Sequence, residues 1–368
     1  MGPSTTDYGR PMSDAGSRRG RSGDKRPTSK DVAAAAGVSR SAVSFAFNDP
    51  GRISRATRER ILGIAQEMGY TPNTLARMLK AGQTRSLGVL LPQALSRTME
   101  NPYYSRFLMG VGQVCDREGF TLLLTPPVRD SMLKAIPYAG VDGFIVCGLE
   151  TDRGEVTELR RRAVPFVLVD GHPHPDVPSV SVDDRRGAHD VIQHLTQLGH
   201  RRIAVLSLEP TPDVTEHGYH GPLARRMTGI TEALTEAGLA WEDVVLSEVP
   251  CTRMDGYRAT RELFADRAPE ERPTALAVMS DVLAIGAVDA LRDLDLSVPE
   301  DVSVTGFDDL PEASWMRPRL TTVRQPITTK GSTAADFLIS AIRGEDQHPH
   351  QRLATTLMVR DSTDQPPR

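Results

Sequence analysis

The sequence predicts an α+β multidomain chain: a three-helix N-terminal head with a helix-turn-helix, then a two-lobed α/β body of doubly wound parallel sheets. Three observations carry that prediction. Helical periodicity framed by capping residues fills residues 27–70. From Arg85 onward, short apolar runs alternate with amphipathic helical stretches, the pattern of parallel sheets covered on both faces. Charge divides in the same way. Residues 1–26 hold six basic and three acidic side chains, residues 27–84 eight and four, and residues 85–368 hold 30 and 41, within an overall −4. A basic head on an acidic body favours a polyanion at one end only.

Residues 1–26 are mostly Gly, Ser, Arg, Asp and Pro, and such a composition predicts a disordered tail. Residues 27–72 form the head. Thr28 caps a first helix, with Asp31 three residues on and Val32, Ala33 and Ala36 inward. Gly37 ends it, and Ser39 caps a second helix with Val43, Ala46 and Phe47 inward. Asn48-Asp49-Pro50-Gly51 is a loop. Ser54 caps a third helix with Ile61, Ile64, Ala65 and Met68 inward, ended by Gly69 and Pro72. Residues 73–84 connect head to body. Their helix-forming part, Asn73–Gly82, is too short by roughly half for a stable isolated helix, and is expected to order only when held.

Residues 85–368 form the body. Strand-like runs are Leu87–Leu91, Thr121–Leu124, Gly143–Cys147, Pro165–Val169, Ile203–Leu208, Ala275–Met279 and Val302–Phe307. Helical stretches between them include Tyr103–Glu118, Ala188–Leu198, Leu223–Ala237, Gly256–Asp266 and Leu283–Leu294. These are too many units for one sheet of five or six strands. Two lobes are therefore expected, with a ligand cleft at the carboxyl ends of the strands.

Composition excludes several classes. With 39% hydrophobic and 25% charged residues the chain can bury a sizeable core. No apolar run approaches the roughly 18–20 residues of a membrane span, and none follows the N-terminal arginines as in a secretory signal. Cys115, Cys147 and Cys251 are far apart and odd in number, which fits a reducing cytoplasm and neither a disulfide scaffold nor a cysteine-based zinc site. Dinucleotide loops, phosphate loops and Gly-x-Ser-x-Gly elbows are missing. The histidine pairs 172/174, 217/220 and 348/350 lie in Pro/Gly-rich loops, and His189 and His194, five apart, diverge on a helix. No catalytic residue, metal or cofactor is expected.

In the head, helix, Gly-containing turn and helix are spaced so that the second helix can enter a DNA major groove while the first crosses the backbone. Arg40, Ser41 and Ala42 would then face base edges, and Ser39, Ser44, Asn48, Ser54 and Thr57 suit phosphate. The alternative is an ordinary three-helix bundle with solvated polar residues. The run "TSKDVAAAAGVSRSAVSFAFNDPGRISRATRERILGIAQEMGYTPNTLARMLKAGQTRSLGVLLP" resembles the head of the LacI/GalR (lactose-repressor-type) transcription regulators almost position for position. The resemblance continues through "NPYYSRFLMGV", "VDGFIVCG", "PFVLVDG", "HLTQLGHRRIAVL", "SDVLAIGAVDALRD", "VPEDVSVTGFDDLP", "LTTVRQP" and "VRDST", and covers roughly Thr28 to Thr363. Each run alone is weak; their order and spacing together are very specific.

The resemblance implies a helix-turn-helix, a hinge helix, and a periplasmic-binding-protein-like effector body in a dimer on near-palindromic operators. It puts Arg40 and Ser41 at base-reading positions and Thr28, Ser39, Ser44, Asn48, Ser54 and Thr57 at backbone-contact positions. Tyr70 and Asn73 fall where head meets hinge, with Ala76 beside a minor-groove wedge at Leu79. Phe45 departs from the pattern, whose best-known members carry an arginine there; a phenylalanine cannot donate to guanine but can touch a thymine methyl. In the body, Asp170, Arg226 and Asp308 fall among cleft residues, with Tyr103 and Tyr104 on the first lobe's wall. For those three charged residues the alternative is a helix cap or an interlobe salt bridge. Ser280 stands where an amide commonly reaches the ligand, and Pro126–Val141 is short for the helix between the second and third strands. A sugar is the expected effector class, nucleobases and other metabolites being alternatives. The C-terminus has no leucine heptad, so a dimer without a tetramerisation coil is expected. A periplasmic solute-binding protein would share the body but not the head. The expectation is thus a cytoplasmic, effector-responsive regulator, a repressor, with activation left open by the sequence.

Overall fold

A computed structural model describes residues 27–72, 82–149, 153–209, 219–345 and 349–367. They fall into two compact units, one ending before Gly82 and one from Gly82 onward. Asn73, Ala76 and Leu79 lie outside the described residues, as does most of the expected hinge helix.

The head contains α1 (Ser29–Ala35), α2 (Arg40–Asn48) and α3 (Arg55–Glu67). Each starts at the residue whose chemistry can cap it. Thr28 and Asp31 form a capping box, the Thr28 N–H donating to Asp31 Oδ2 at 2.8 Å. The Ser39 hydroxyl accepts from the Ala42 N–H at 3.1 Å and the Ser54 hydroxyl from the Thr57 N–H at 3.2 Å. Gly37 turns the chain between α1 and α2 at φ +62°, a conformation that a side chain would strain. Val32, Ala33, Ala36, Val43, Ala46, Ile61 and Ala65 are the buried core. Phe47 packs on it and meets Tyr70 edge to face at 5.8 Å.

The body has β1 (Ser86–Leu90), α4 (Leu95–Met99), α5 (Pro102–Glu118), β2 (Thr121–Thr125), α6 (Met132–Ala135), β3 (Gly143–Cys147), α7 (Gly154–Arg161), β4 (Phe166–Val169) and β5 (Ser179–Val182). There follow α8 (Asp184–Gln197), β6 (Ile203–Leu208), α9 (Gly221–Glu236), β7 (Val245–Val249), α10 (Arg253–Phe264), β8 (Ala275–Val278) and α11 (Asp281–Arg292). The chain ends with β9 (Ser303–Asp308), α12 (Pro311–Trp315), β10 (Thr321–Arg324), α13 (Ile327–Ile342), β11 (His350–Leu353) and β12 (Thr356–Met358). Two six-stranded sheets result. The first has the order β11-β5-β4-β3-β1-β2, every pair parallel. The second has the order β12-β10-β9-β8-β6-β7, parallel except for β12 against β10.

The chain passes between lobes three times: at Asp183–Asp184, at Gln325–Pro326 and at Ala354–Thr355. The second passage returns α13 to the first lobe, where it packs on α5. The two helices approach so closely that a Cβ on Gly110 would sit 1.9 Å from the Thr328 carbonyl oxygen, and one on Gly331 2.2 Å from that of Phe107. Val282 and Leu310 of the second lobe are buried among the first lobe's core residues, so an apolar seam joins the lobes. At the entry to β1, the Thr84 and Arg85 N–H groups donate to the Asp142 carboxylate at 2.6 and 2.8 Å.

All seven expected strands are present, with ends shifted by a residue or so. The short helix at 132–135, continued by one 3-10 turn, agrees with the shortness of Pro126–Val141. The remaining strands, β5, β7, β10, β11 and β12, are three to five residues long and their apolar residues are at most two in a row, so apolar runs do not reveal them.

Candidate functional site

On α2, Arg40, Ser41, Ser44, Phe45 and Asn48 share an arc of about 140° at 3.6 residues per turn, opposite Val43 and Ala46. Arg40, Ser41, Ser44 and Asn48 are exposed and Phe45 is half-buried. Asn48 Nδ2 donates to the Ser44 carbonyl at 3.0 Å. Thr28, Ser39 and Ser54 are exposed at the starts of the three helices, with Thr57 one turn into α3, its hydroxyl 2.8 Å from that of Ser54. Helix N-termini with free donors and hydroxyls suit phosphate, and the arc between them suits base edges.

In the body, the residues expected at the cleft converge where the strand ends of both lobes meet. Asn101 caps α5, its side chain accepting from the Tyr103 N–H at 2.9 Å, and this sets both tyrosines at the helix start. Tyr103 and Tyr104 meet edge to face at 5.4 Å. Asp170 follows β4 at φ +66° and Asp308 ends β9 at φ +137°, strained backbone of the kind held at functional sites.

Between these carboxylates lies a cation that the sequence reading did not single out. The Lys330 side chain is only 2% exposed. Its Nζ donates to Asp170 Oδ1 and Oδ2 at 3.0 and 2.9 Å, to the Tyr103 hydroxyl at 2.9 Å and to Gln325 Oε1 at 3.0 Å. Gln325 Nε2 donates to Asp308 Oδ1 at 2.5 Å, and the Ser280 hydroxyl donates to Asp308 Oδ2 at 3.3 Å. Cys251 Sγ lies 3.4 Å from Ser280 Oγ and 3.6 Å from Asn101 Nδ2. A polar chain therefore runs from Asp170 in the first lobe through Lys330, Gln325, Asp308 and Ser280 to Cys251 in the second, and back to Asn101 in the first.

Arg226 lies beside this chain. Its Nε donates to Asp184 Oδ1 at 2.9 Å, its Nη1 donates to the Met279 carbonyl at 2.7 Å, and its guanidinium stacks 3.7 Å from the Phe307 ring centre. Arg225 Nη2 reaches both Asp184 Oδ2 at 3.0 Å and, across the lobes, the Asp170 carbonyl at 3.1 Å. Asp184, fully buried at a passage between lobes, thus holds two arginines. A signal for Lys330 was available: with Ile327, Ala334 and Leu338 it lies on the buried face of α13. Gln325, Asp184 and Cys251 had no comparable local signal.

Burial sets the electrostatics. It pushes the Asp308 carboxyl up to about 6, against the opposing pull of Arg226, Gln325, Lys330 and Ser280. It raises Asp281 well above the carboxylate range, helped by neighbouring Asp308, although Asp281 accepts from the Thr322 hydroxyl and the Leu310 N–H at 2.5 and 2.7 Å. Burial and Asp170 raise the Tyr103 phenol, so it stays a neutral donor, and burial lifts the Cys251 thiol to about 11. Burial opposes charge on Arg226, yet Asp184 and Asp308 hold it protonated. Asp308 binds its proton more tightly folded than unfolded, so its contribution to stability is largest below about pH 4 and falls as pH rises to about 6. Asp308→Asn should therefore melt higher than the parent at pH 7.5. The gap should narrow at pH 5 in parallel thermal melts; a gap independent of pH would contradict the shift.

The family model described as bacterial regulatory proteins, lacI family, matches residues 28–73, and the periplasmic binding protein-like domain matches residues 192–363. The HTH-type transcriptional regulator CelR of Thermobifida fusca is 33% identical over 346 residues, 92% of this chain and 98% of that one. The chain is a member of the LacI family. It is accordingly a DNA-binding transcription regulator whose operator affinity is modulated by a small-molecule effector, and not an enzyme. Among solved structures, the CelR–cellobiose complex is similar at 32% identity and TM-score 0.66, covering 92% of this chain and all of that one. The Lac repressor dimer bound to operator and the anti-inducer ONPF is similar at 26% identity and TM-score 0.78, with the same coverage. Among the described residues, no helix is long and apolar enough to cross a membrane.

Proposed function

We propose that this LacI-family chain is a cytoplasmic, homodimeric repressor that binds a near-palindromic operator and responds to a sugar held between the lobes of its body. Arg40, Ser41 and Phe45 read bases, Thr28, Ser39, Ser44, Asn48, Ser54 and Thr57 hold the DNA backbone, and Asn73, Ala76 and Leu79 serve the hinge, with Leu79 wedging the minor groove. Tyr103, Tyr104, Asp170, Arg226, Ser280 and Asp308 bind the effector, and Lys330 and Gln325 complete that set.

The observation that carries the effector reading is the polar chain from Asp170 to Ser280. It alternates fixed donors and acceptors across the two lobes, and ionised groups make the stronger hydrogen bonds to hydroxyls. A polyol can insert into such a chain by exchanging partners, leaving no buried charge unpaired. The cellobiose in the CelR complex supports a sugar, and the operator-bound Lac repressor dimer supports the dimer and its DNA.

The test selects an operator from random-sequence duplexes with the full chain, then titrates it with cellobiose and a panel of mono- and disaccharides. One saccharide should shift operator affinity at least tenfold. Arg40→Ala should lose about 1–3 kcal/mol on the operator and less on random DNA. Equal losses on both would assign Arg40 to phosphate, and indifference to every saccharide would remove the sugar.

A further inference from the structure

We infer that Phe45 is a specificity-determining residue that reads the 5-methyl group of a thymine in each operator half-site, and that Arg52 is the residue that positions its ring. The inference rests on the operator-binding reading above. Phe45 lies on the exposed arc of α2, at 140° from Arg40 and on the same side as Ser41, Ser44 and Asn48. The other large apolar side chain of α2, Phe47, packs on the head's core; the Phe45 ring belongs neither to that core nor to the shell packed on it. A half-buried phenylalanine among serines, an asparagine and an arginine leaves apolar area in water.

The ring is nevertheless held. The Arg52 guanidinium lies 5.4 Å from its centre, in cation–π range, and Arg52 Nε pairs with Asp49 Oδ2 at 3.2 Å. Arg52 ends the single 3-10 turn Pro50–Arg52, whose first residue is a proline, so the side chain that covers the ring starts from a fixed loop. The guanidinium favours one orientation of the ring, while Ser41, Ser44 and Asn48 on the arc beside it are exposed. Phenylalanine offers no donor or acceptor, so it cannot distinguish bases by hydrogen bonding. In the major groove the one apolar feature of the base edges is the thymine methyl. An orientation fixed beforehand lowers the entropy lost on contact.

Replacing each thymine of the selected operator in turn by deoxyuridine deletes one methyl and leaves every hydrogen bond in place. With the full-length parent, one position in each half-site should weaken binding by roughly three- to fivefold, the worth of one buried carbon. Phe45→Ala leaves the core and the helix propensity of α2 intact, so the head stays folded. It should bind the thymine and deoxyuridine duplexes within twofold of each other. Arg52→Ala should still bind but narrow the thymine-to-deoxyuridine ratio, a readout that general loss of phosphate attraction does not move. The inference is overturned if the parent shows no position beyond twofold while still preferring the operator to random DNA, a result that leaves the operator reading intact. It is also overturned if the discrimination persists in Phe45→Ala. If no sequence is enriched at all, the operator reading falls and the inference with it.

Discussion

Replacing Lys330 by methionine is expected to destabilise the body by about 3–5 kcal/mol, the cost of leaving a buried carboxylate without its partner. The ammonium is the only cation within hydrogen-bonding distance of the Asp170 carboxylate among the described residues, and it also satisfies Tyr103 and Gln325. Methionine fills the same space but offers Asp170 nothing. Adding Asp170→Asn removes the stranded charge, and asparagine tolerates the φ of +66° at that position. The double variant should therefore recover most of the loss, giving a coupling energy of at least about 2 kcal/mol in a urea-denaturation cycle. Additive single losses would mean that the pair is an incidental contact.

The fold was largely legible because most of it is local. Caps at Thr28, Ser39 and Ser54, the turn at Gly37 and apolar runs such as Gly143–Cys147 each declare themselves within a few residues. The polar chain between the lobes was legible only in part. Asp170, Ser280 and Asp308 stand at strand ends, where an open α/β fold presents its ligand groups. Lys330 comes from the second turn of a helix that returns to the first lobe, and nothing nearby in the sequence shows that return. Helical spacing puts it on the buried face with Ile327, Ala334 and Leu338, but spacing does not show which carboxylate it meets. Arg226 was singled out in the sequence but its partner was not, because Asp184 is buried at a passage between lobes 42 residues away. The edge strands β11 and β12 escaped for another reason. His350–Leu353 and Thr356–Met358 are too short and too polar to carry an alternating pattern, and their pairing is set by strands far away in sequence.

The largest functional effect is expected at Asp308. Its carboxylate joins Gln325, at the passage between lobes, to Ser280 in the second lobe, so it can sense whether a ligand's hydroxyls have taken over either contact. The connecting segment enters the first lobe at Thr84 and Arg85, pinned to Asp142. In the proposed dimer, a change in lobe closure would therefore move the two hinge segments relative to each other. A tenfold change in operator affinity needs only about 1.4 kcal/mol of differential ligand affinity between closure states, whereas a near-complete switch needs about 5.5 kcal/mol. One charge-assisted hydrogen bond covers the first figure, whereas two reach the second only at the top of their range. Asparagine keeps the shape of Asp308 and removes its charge. Asp308→Asn is therefore expected to keep operator binding within twofold of the parent and to lose most of the response.

The most direct measurement is an operator titration of the parent and of Asp308→Asn, each with no effector and with the saturating saccharide found in the panel. The parent's midpoint should shift at least tenfold, while the variant's two curves should coincide with the parent's effector-free curve to within twofold. A variant that responds with the parent's midpoint and amplitude would contradict the account, because the polar chain between the lobes would then be holding the fold and not sensing a ligand.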